Sequence, residues 1–439
     1  MTPIANEVAA ARAAQRSWSG VRVAQRMRVL RRMRAELARR ANEFAAAMPA
    51  ELRRTAADTL VAEVLPLLDA VRFLEKRAAG LLASQRLADE GRSPWLGAVE
   101  AEVCREPVGV VLLVAPGNYP LFLAGVQCLQ GLAAGNAVLW KPAPGTGAVA
   151  RLFADCWRRA AAGWAEALRV LDESREAATE AIRAGVDRVF LTGSPETGTV
   201  VMRELAETQT SSVLELSGCD AVFVLEGAEL PRVVDALTFG MRLNGSSTCM
   251  APRRVFVTDT MANELMPLLR AAFQGLDATL VETKGLPEDI LAPVLSVVRV
   301  ANMREALDAD AQCPYALTAA VFGPENSARE LAERVNAGTV FINDLIAPAA
   351  DARVPFGGRK RSGFGVTRGA EGLLAMTNVK TVLTQRSRSR RHYEATTAAH
   401  EELFSAYIAV RHPRDFLQGV RAVPRLIRAA FRMQRQKGK

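Results

Sequence analysis

One of the chain's six cysteines stands where a thiol could work. Cys249 lies in LNGSSTCMAPRRVFV, where a Gly-Ser-Ser-Thr stretch follows a helical pattern and leads into a strand pattern. A loop rich in hydroxyl and amide donors stabilises a thiolate and leaves it reachable, although a free cysteine also serves as an inert small hydrophobe. Glu215, in VLELSG, is a carboxylate inside an apolar strand pattern. An unpaired charge is costly there, so it needs either a partner or a purpose, and it also reads as an ion-paired strand end. Asn118, in VAPGNYPL, follows a buried-type strand at its carboxyl end, the edge where open α/β sheets place ligands; it also reads as a plain turn residue. Lys141 follows another such strand, in a chain that uses 49 Arg and only 7 Lys. A compact ammonium suits a ribose hydroxyl or a phosphate oxygen.

The three histidines are His392, His400 and His412, so residues 1–391 contain no imidazole. A Ser-His-Asp triad, a Cys-His dyad and a histidine-ligated zinc are thereby excluded from the body, and no metal site is expected. The cysteines form no CxxC pair and suggest no disulfide framework. The formal charge of +9 is carried by residues 386–439, which hold 13 Lys plus Arg against 4 Asp plus Glu, leaving the body at 43 against 43. A neutral body gives no nucleic-acid footprint, and only the basic tail is suited to an anionic partner. The N-terminus has no apolar signal region and no apolar run reaches spanning length, which reads as a cytoplasmic protein.

These residues need a scaffold of 439 residues, too long for one core, and a composition of 49% hydrophobic and 23% charged residues fits an α/β protein. Residues 5–85 carry apolar positions at three- and four-residue spacing and predict two or three amphipathic helices. Strand patterns follow at 108–116, 136–142, 187–194 and 212–218, near-continuously apolar and with helical patterns between the earlier ones. That texture predicts a parallel sheet covered on both faces, a dinucleotide-domain architecture, although GxGxxG is absent. Further strand patterns at 253–259, 293–302, 317–324 and 338–344 suffice for a second α/β domain. The chain ends in a segment that alternates Leu, Ile and Phe with Arg at helical spacing, which suits a helix packed on protein or a basic helix lying on an anionic membrane.

The segments EPVGVVLLVAPGNYPL, LAAGNAVLWKP, VFLTGSPETG, LELSG, NGSSTC followed by APRR, and VPFGGRKRSGFG occur in this order. Over residues 5–385 the set resembles the NAD(P)-dependent aldehyde dehydrogenase superfamily. The spacings resemble it too, 23 residues from Asn118 to Lys141 and 34 from Glu215 to Cys249. The resemblance implies a Rossmann-type cofactor domain over residues 1–216 with an oligomerisation hairpin at 92–107. It further implies a catalytic domain over 217–375 and an oligomerisation strand at 376–385, which leaves 386–439 as a basic helical tail. It implies Cys249 as nucleophile toward a small-molecule aldehyde, Asn118 as oxyanion donor and Glu215 as the base that hydrolyses a thioester. NAD or NADP would be held by Lys141, Pro142, Thr192, Gly193, Ser194, Gly198, Leu216, Asp289 and Leu291, in a homodimer.

The chain departs from the family pattern at four places. Pro144 stands where a carboxylate usually meets the ribose 2′-hydroxyl, which predicts that NADP is accepted at least as readily as NAD. The nicotinamide-ribose segment E-x-F-G-P becomes DILAPV, with Asp289 and Leu291 in the place of Glu and Phe. Ser246 and Ser247 replace Gly and Gln, and Ser246 adds a Cβ where the backbone uses glycine freedom. Only 40 residues separate Cys249 from Asp289, fewer than is usual. Three readings follow: oxidation of an aldehyde to an acid, an acylating or thioester-reducing relative, and a scaffold or membrane-associated homologue whose catalysis is impaired.

Overall fold

A computed structural model describes residues 2–93, 96–283, 293–387, 393 and 395–436. It divides into two compact units, Met1–Gln85 with Val103–Thr381, and Arg86–Glu102 with Val382–Lys439.

In the larger unit the first sheet has the order Gly363–Phe364, Ser211–Glu215, Arg188–Thr192, Val110–Val114, Ala137–Lys141, Leu168–Val170. All its strands run parallel except Gly363–Phe364. Val110–Val114 is buried at every position because both faces are covered. Val111 and Leu113 enter a core with the helices Val23–Arg39, Leu65–Leu81, Phe122–Ala134 and Gly147–Ala160. Val110, Leu112 and Val114 point the other way, onto Ile4, Val8, Ala181 and Leu205. Strand order reverses beside Val110–Val114, whose sequence successor Ala137–Lys141 lies on one side while the later Arg188–Thr192 lies on the other. A crevice outside the carboxyl ends at such a reversal is where open sheets bind ligands.

The second sheet is parallel throughout, in the order Thr279–Thr283, Val294–Val300, Pro252–Thr258, Asp220–Val224, Thr318–Phe322, Thr339–Ile342. Its central strands alternate likewise, Val222, Val224, Val255 and Val257 to one core and Ala221, Phe223 and Phe256 to the other. Residues 216–219 join the two sheets, leading from Glu215 straight into Asp220–Val224.

A small sheet orders Gln85–Arg86, Val99–Pro107 and Thr377–Gln385, and the chain passes between the two units within these strands. The smaller unit ends in two helices, Ala398–Arg411 and Phe416–Gln436, the first started by a capping box in which Thr397 and His400 exchange hydrogen bonds. Among the described residues no helix is long and apolar enough to cross a membrane.

Candidate active site

Four parallel strands of the first sheet end at one edge, which gathers residues far apart in sequence. Thr192 pairs in register with Glu215 and Val114 with Lys141, so Asn118, Lys141, Thr192 and Glu215 all belong to that edge. Proline and glycine end the strands there, at Pro116-Gly117 and Pro142. Ser194 caps the helix Pro195–Thr208 by accepting from the Thr197 N–H, with Pro195 in the first turn where its missing N–H is harmless.

A cavity of about 830 Å3 opens at this edge, and Asn118, Thr192, Gly193, Glu215, Leu216 and Cys249 all line it. Lys141, Pro142, Ser194 and Gly198 lie outside the lining. Asp289 and Leu291 fall outside the described residues. Two glycines allow the close approaches this requires. A Cβ on Gly198 would stand 2.9 Å from Leu216, and one on Gly218 would stand 2.6 Å from the Cys249 carbonyl oxygen. The LELSG glycine therefore lets the nucleophile loop rest against the end of the strand that carries Glu215.

The loop before Cys249 is wound through the left-handed region at Asn244 (φ 54°), Gly245 (φ 54°) and Ser246 (φ 61°). Ser246 is a non-glycine residue in a conformation that typically costs about 1–3 kcal/mol. Buried Arg253 holds it there, donating to the Ser246 hydroxyl and to its carbonyl, each at 2.5 Å. Asn118 is half-buried and donates through Nδ2 to the Ser247 carbonyl at 2.8 Å, which leaves one amide hydrogen for another acceptor. Beside them the Tyr119 and Thr248 hydroxyls lie 2.8 Å apart.

Behind Asn118 stands a pair that sequence reading did not single out. Arg54 donates to the Asn118 carbonyl at 2.6 Å, to Asn244 Oδ1 at 3.0 Å and to Glu63 Oε1 at 2.5 Å, and its guanidinium lies 4.3 Å from the Tyr119 ring centroid. Glu63, in a π-helical turn at Leu60–Val64, accepts from the Leu121 and Phe122 N–H groups with its other oxygen. The pair is buried and its hydrogen bonds are complete, so it fixes the Asn118 turn and the nucleophile loop together.

The other side of the site is less satisfied. Glu215 accepts from the Thr367 hydroxyl through Oε2 at 3.1 Å, but its buried Oε1 has no partner among the described residues. Burial raises the Glu215 carboxyl above the usual range, with Arg368 and the Thr367 hydrogen bond opposing. Arg368 is buried, lies 4.2 Å from the Phe356 ring centroid and donates to the Ala349 carbonyl at 2.6 Å. Cys249 is half-buried. Burial foremost, then the charges of Glu215 and Asp220, raise its thiol well above the ordinary value, against the pull of Arg368.

Lys141 is 5% exposed, and its ammonium makes no hydrogen bond to any described residue. Burial lowers its pKa, while Asp172 and Glu173 oppose that shift. An ammonium without a hydrogen-bond partner among the described residues, at the carboxyl end of its strand, fits a ligand carrying ribose hydroxyls and phosphates, as a nicotinamide dinucleotide does.

The aldehyde dehydrogenase family model matches residues 2–280 and 281–382. The chain is 26% identical over 439 residues to a 4,4'-diapolycopene aldehyde oxidase of Methylomonas, covering 88% of this chain and 82% of that protein. It is 29% identical over 345 residues to a succinate-semialdehyde dehydrogenase (NADP+) of Deinococcus radiodurans, covering 64% and 71%. The structure of betaine aldehyde dehydrogenase from Staphylococcus aureus in complex with NAD+ superposes with a TM-score of 0.81 at 20% identity, covering 89% of each chain. The chain belongs to the aldehyde dehydrogenase family.

Proposed function

We propose that this aldehyde dehydrogenase oxidises its substrate to the free carboxylic acid through a cysteine thioester, with Cys249, Asn118 and Glu215 as the working residues. The observation that carries the reading is Glu215, which lines the same cavity as Cys249 and whose buried Oε1 has no partner among the described residues. A buried carboxylate oxygen left without a donor is unstable as structure and useful as a base.

In this reading the Cys249 thiol gives up its proton to solvent, and the sulfur attacks the aldehyde carbonyl to form a thiohemiacetal. The free hydrogen of the Asn118 amide, with the Cys249 backbone N–H, donates to the oxyanion, typically about 3 kcal/mol per donor. Bound NAD or NADP supplies the hydride acceptor, and Lys141 with the Thr192-Gly193-Ser194 turn holds its ribose and pyrophosphate. Asp289 and Leu291 belong to the same proposal, as does Leu216 at the cavity wall. Glu215 then takes a proton from the water that cleaves the thioester.

Incubation with a panel of aldehydes and NAD or NADP, with and without coenzyme A, tests this. Free acid is expected whether or not coenzyme A is present; acyl-CoA as sole product would instead assign an acylating relative. With Pro144 in the discriminating position, NADP is expected to serve at least as well as NAD. A kcat/KM preference for NAD above about tenfold would contradict that.

A homodimer is part of the proposal, supported by the edge strand Thr377–Gln385, which exposes Val379, Val382 and Leu383. All six cysteines are free thiols, which supports a reducing cytoplasmic compartment. Contact of the basic tail with membrane completes the proposal. The relatives above carry the names of long apolar and short acidic aldehydes, so no one substrate is assigned.

A further inference from the structure

The closing helix Phe416–Gln436 has three distinct faces. Gly419, Ala422, Leu426, Ala429 and Met433 recur every three or four residues and are buried or half-buried. This face meets the preceding helix, with Pro413 and Val410 within 4 Å of where a Cβ on Gly419 would stand. A second stripe, Phe416, Val420, Val423, Ile427 and Phe431, follows the same spacing yet is 37% to 83% exposed. Arg421, Arg425, Arg428 and Arg432 form the third, all exposed. Residues 416–439 hold seven Lys plus Arg and no acid. Arg432 pairs with Glu402, whereas Arg421 and Arg425 make no ion pair with any described residue.

An apolar stripe of this length is unusual on a solvated surface, and charge decides what covers it. A second copy laid stripe to stripe would bring two rows of arginine together. An anionic bilayer surface satisfies both faces at once, because acyl chains take the Phe, Val and Ile side chains while headgroup phosphates meet the arginines. The arginines within it stop the helix from crossing. We infer that the hairpin Ala398–Gln436 is an interfacial anchor that lays this stripe on anionic lipid. The inference deepens the membrane contact proposed above and is independent of the aldehyde chemistry, which resides in the larger unit.

Co-sedimentation of the full chain with vesicles tests it, using phosphatidylglycerol mixed with phosphatidylcholine against phosphatidylcholine alone. Binding is expected on the mixed vesicles and should weaken with added salt. The double variant Val420→Asp with Ile427→Asp should lower the partition at least ~100-fold, from the lost apolar burial. Arg421→Gln and Arg425→Gln should each lower it roughly fivefold on anionic vesicles only. Dehydrogenase activity in solution and the unfolding temperature should not move in any of these, which separates failure of the anchor from failure of the enzyme. Absence of binding to either vesicle, or binding unaffected by the stripe variant, would overturn the inference. So would a stripe variant that halves the mass in light scattering, since a second copy would then be the occupant.

Discussion

Two glutamates in the larger unit, Glu63 and Glu215, are nearly identical by burial, 0% and 2% exposed, and burial raises both above the ordinary carboxylate range. Their surroundings differ in one respect. Glu63 has both oxygens occupied, by Arg54 and by the Leu121 and Phe122 N–H groups, whereas one oxygen of Glu215 has no partner among the described residues. Burial alone does not separate a carboxylate that builds a site from one that works in it. The completeness of its hydrogen bonds does.

The strongest way to sharpen the contrast is Glu215→Gln. Acid release should fall by roughly 10^2- to 10^4-fold, the usual range for a lost general base, while the unfolding temperature holds or rises. In the wild type the acid limb of the rate profile should lie above that of an ordinary carboxylate. The raised Glu215 is protonated, and useless as a base, below its own pKa. Steady-state rates across pH for both proteins check this.

Arg54→Met should do the reverse. Removing one partner of a buried pair typically destabilises by about 3–5 kcal/mol, here leaving Glu63 uncompensated. Denaturant unfolding measures the loss. Arg54→Met with Glu63→Met should recover part of that stability, yet kcat should stay low because the Asn118 carbonyl and Asn244 lose their common donor.

Asp220 offers a smaller test with a definite sign. It is buried, accepts two bonds from Thr318, and its pKa is raised from 3.8 to about 7, chiefly by burial. The stability it contributes is complete below the unfolded value and is lost as the pH climbs to about 7. Asp220→Asn should flatten the fall in melting temperature over that window. If the slope is unchanged, another group carries it.

Much of this was legible before the structure. The strand patterns at 108–116, 136–142, 187–194 and 212–218 became strands, because runs of Val, Leu and Phe buried on both faces announce themselves without context. Cys249, Glu215 and Asn118 were conspicuous as polar groups in apolar or loop surroundings, and the cavity collects all three. Ser246 was conspicuous as a Cβ in a glycine position, and its φ of 61° shows the backbone did use that region. Arg253, which holds it, was hidden, since the first arginine of APRR carries no local sign of its partner.

Arg54 and Glu63 were hidden for a similar reason. Residues 5–85 are full of arginine and glutamate at helical spacing, and what distinguishes this pair is contact with residues 118–122 and 244, far along the chain. The same holds for Thr367 and Arg368, which reach Glu215 from more than 150 residues away in sequence. Local pattern reports burial well and long-range partners poorly.

The most direct test of the central claim is the mass of the Glu215→Gln protein after incubation with an aldehyde and NAD(P), followed by peptide mapping. An acyl group should be trapped on the peptide carrying Cys249, because the thioester forms and its hydrolysis is lost. An adduct on another residue, or none while reduced nicotinamide accumulates at the wild-type rate, would contradict it.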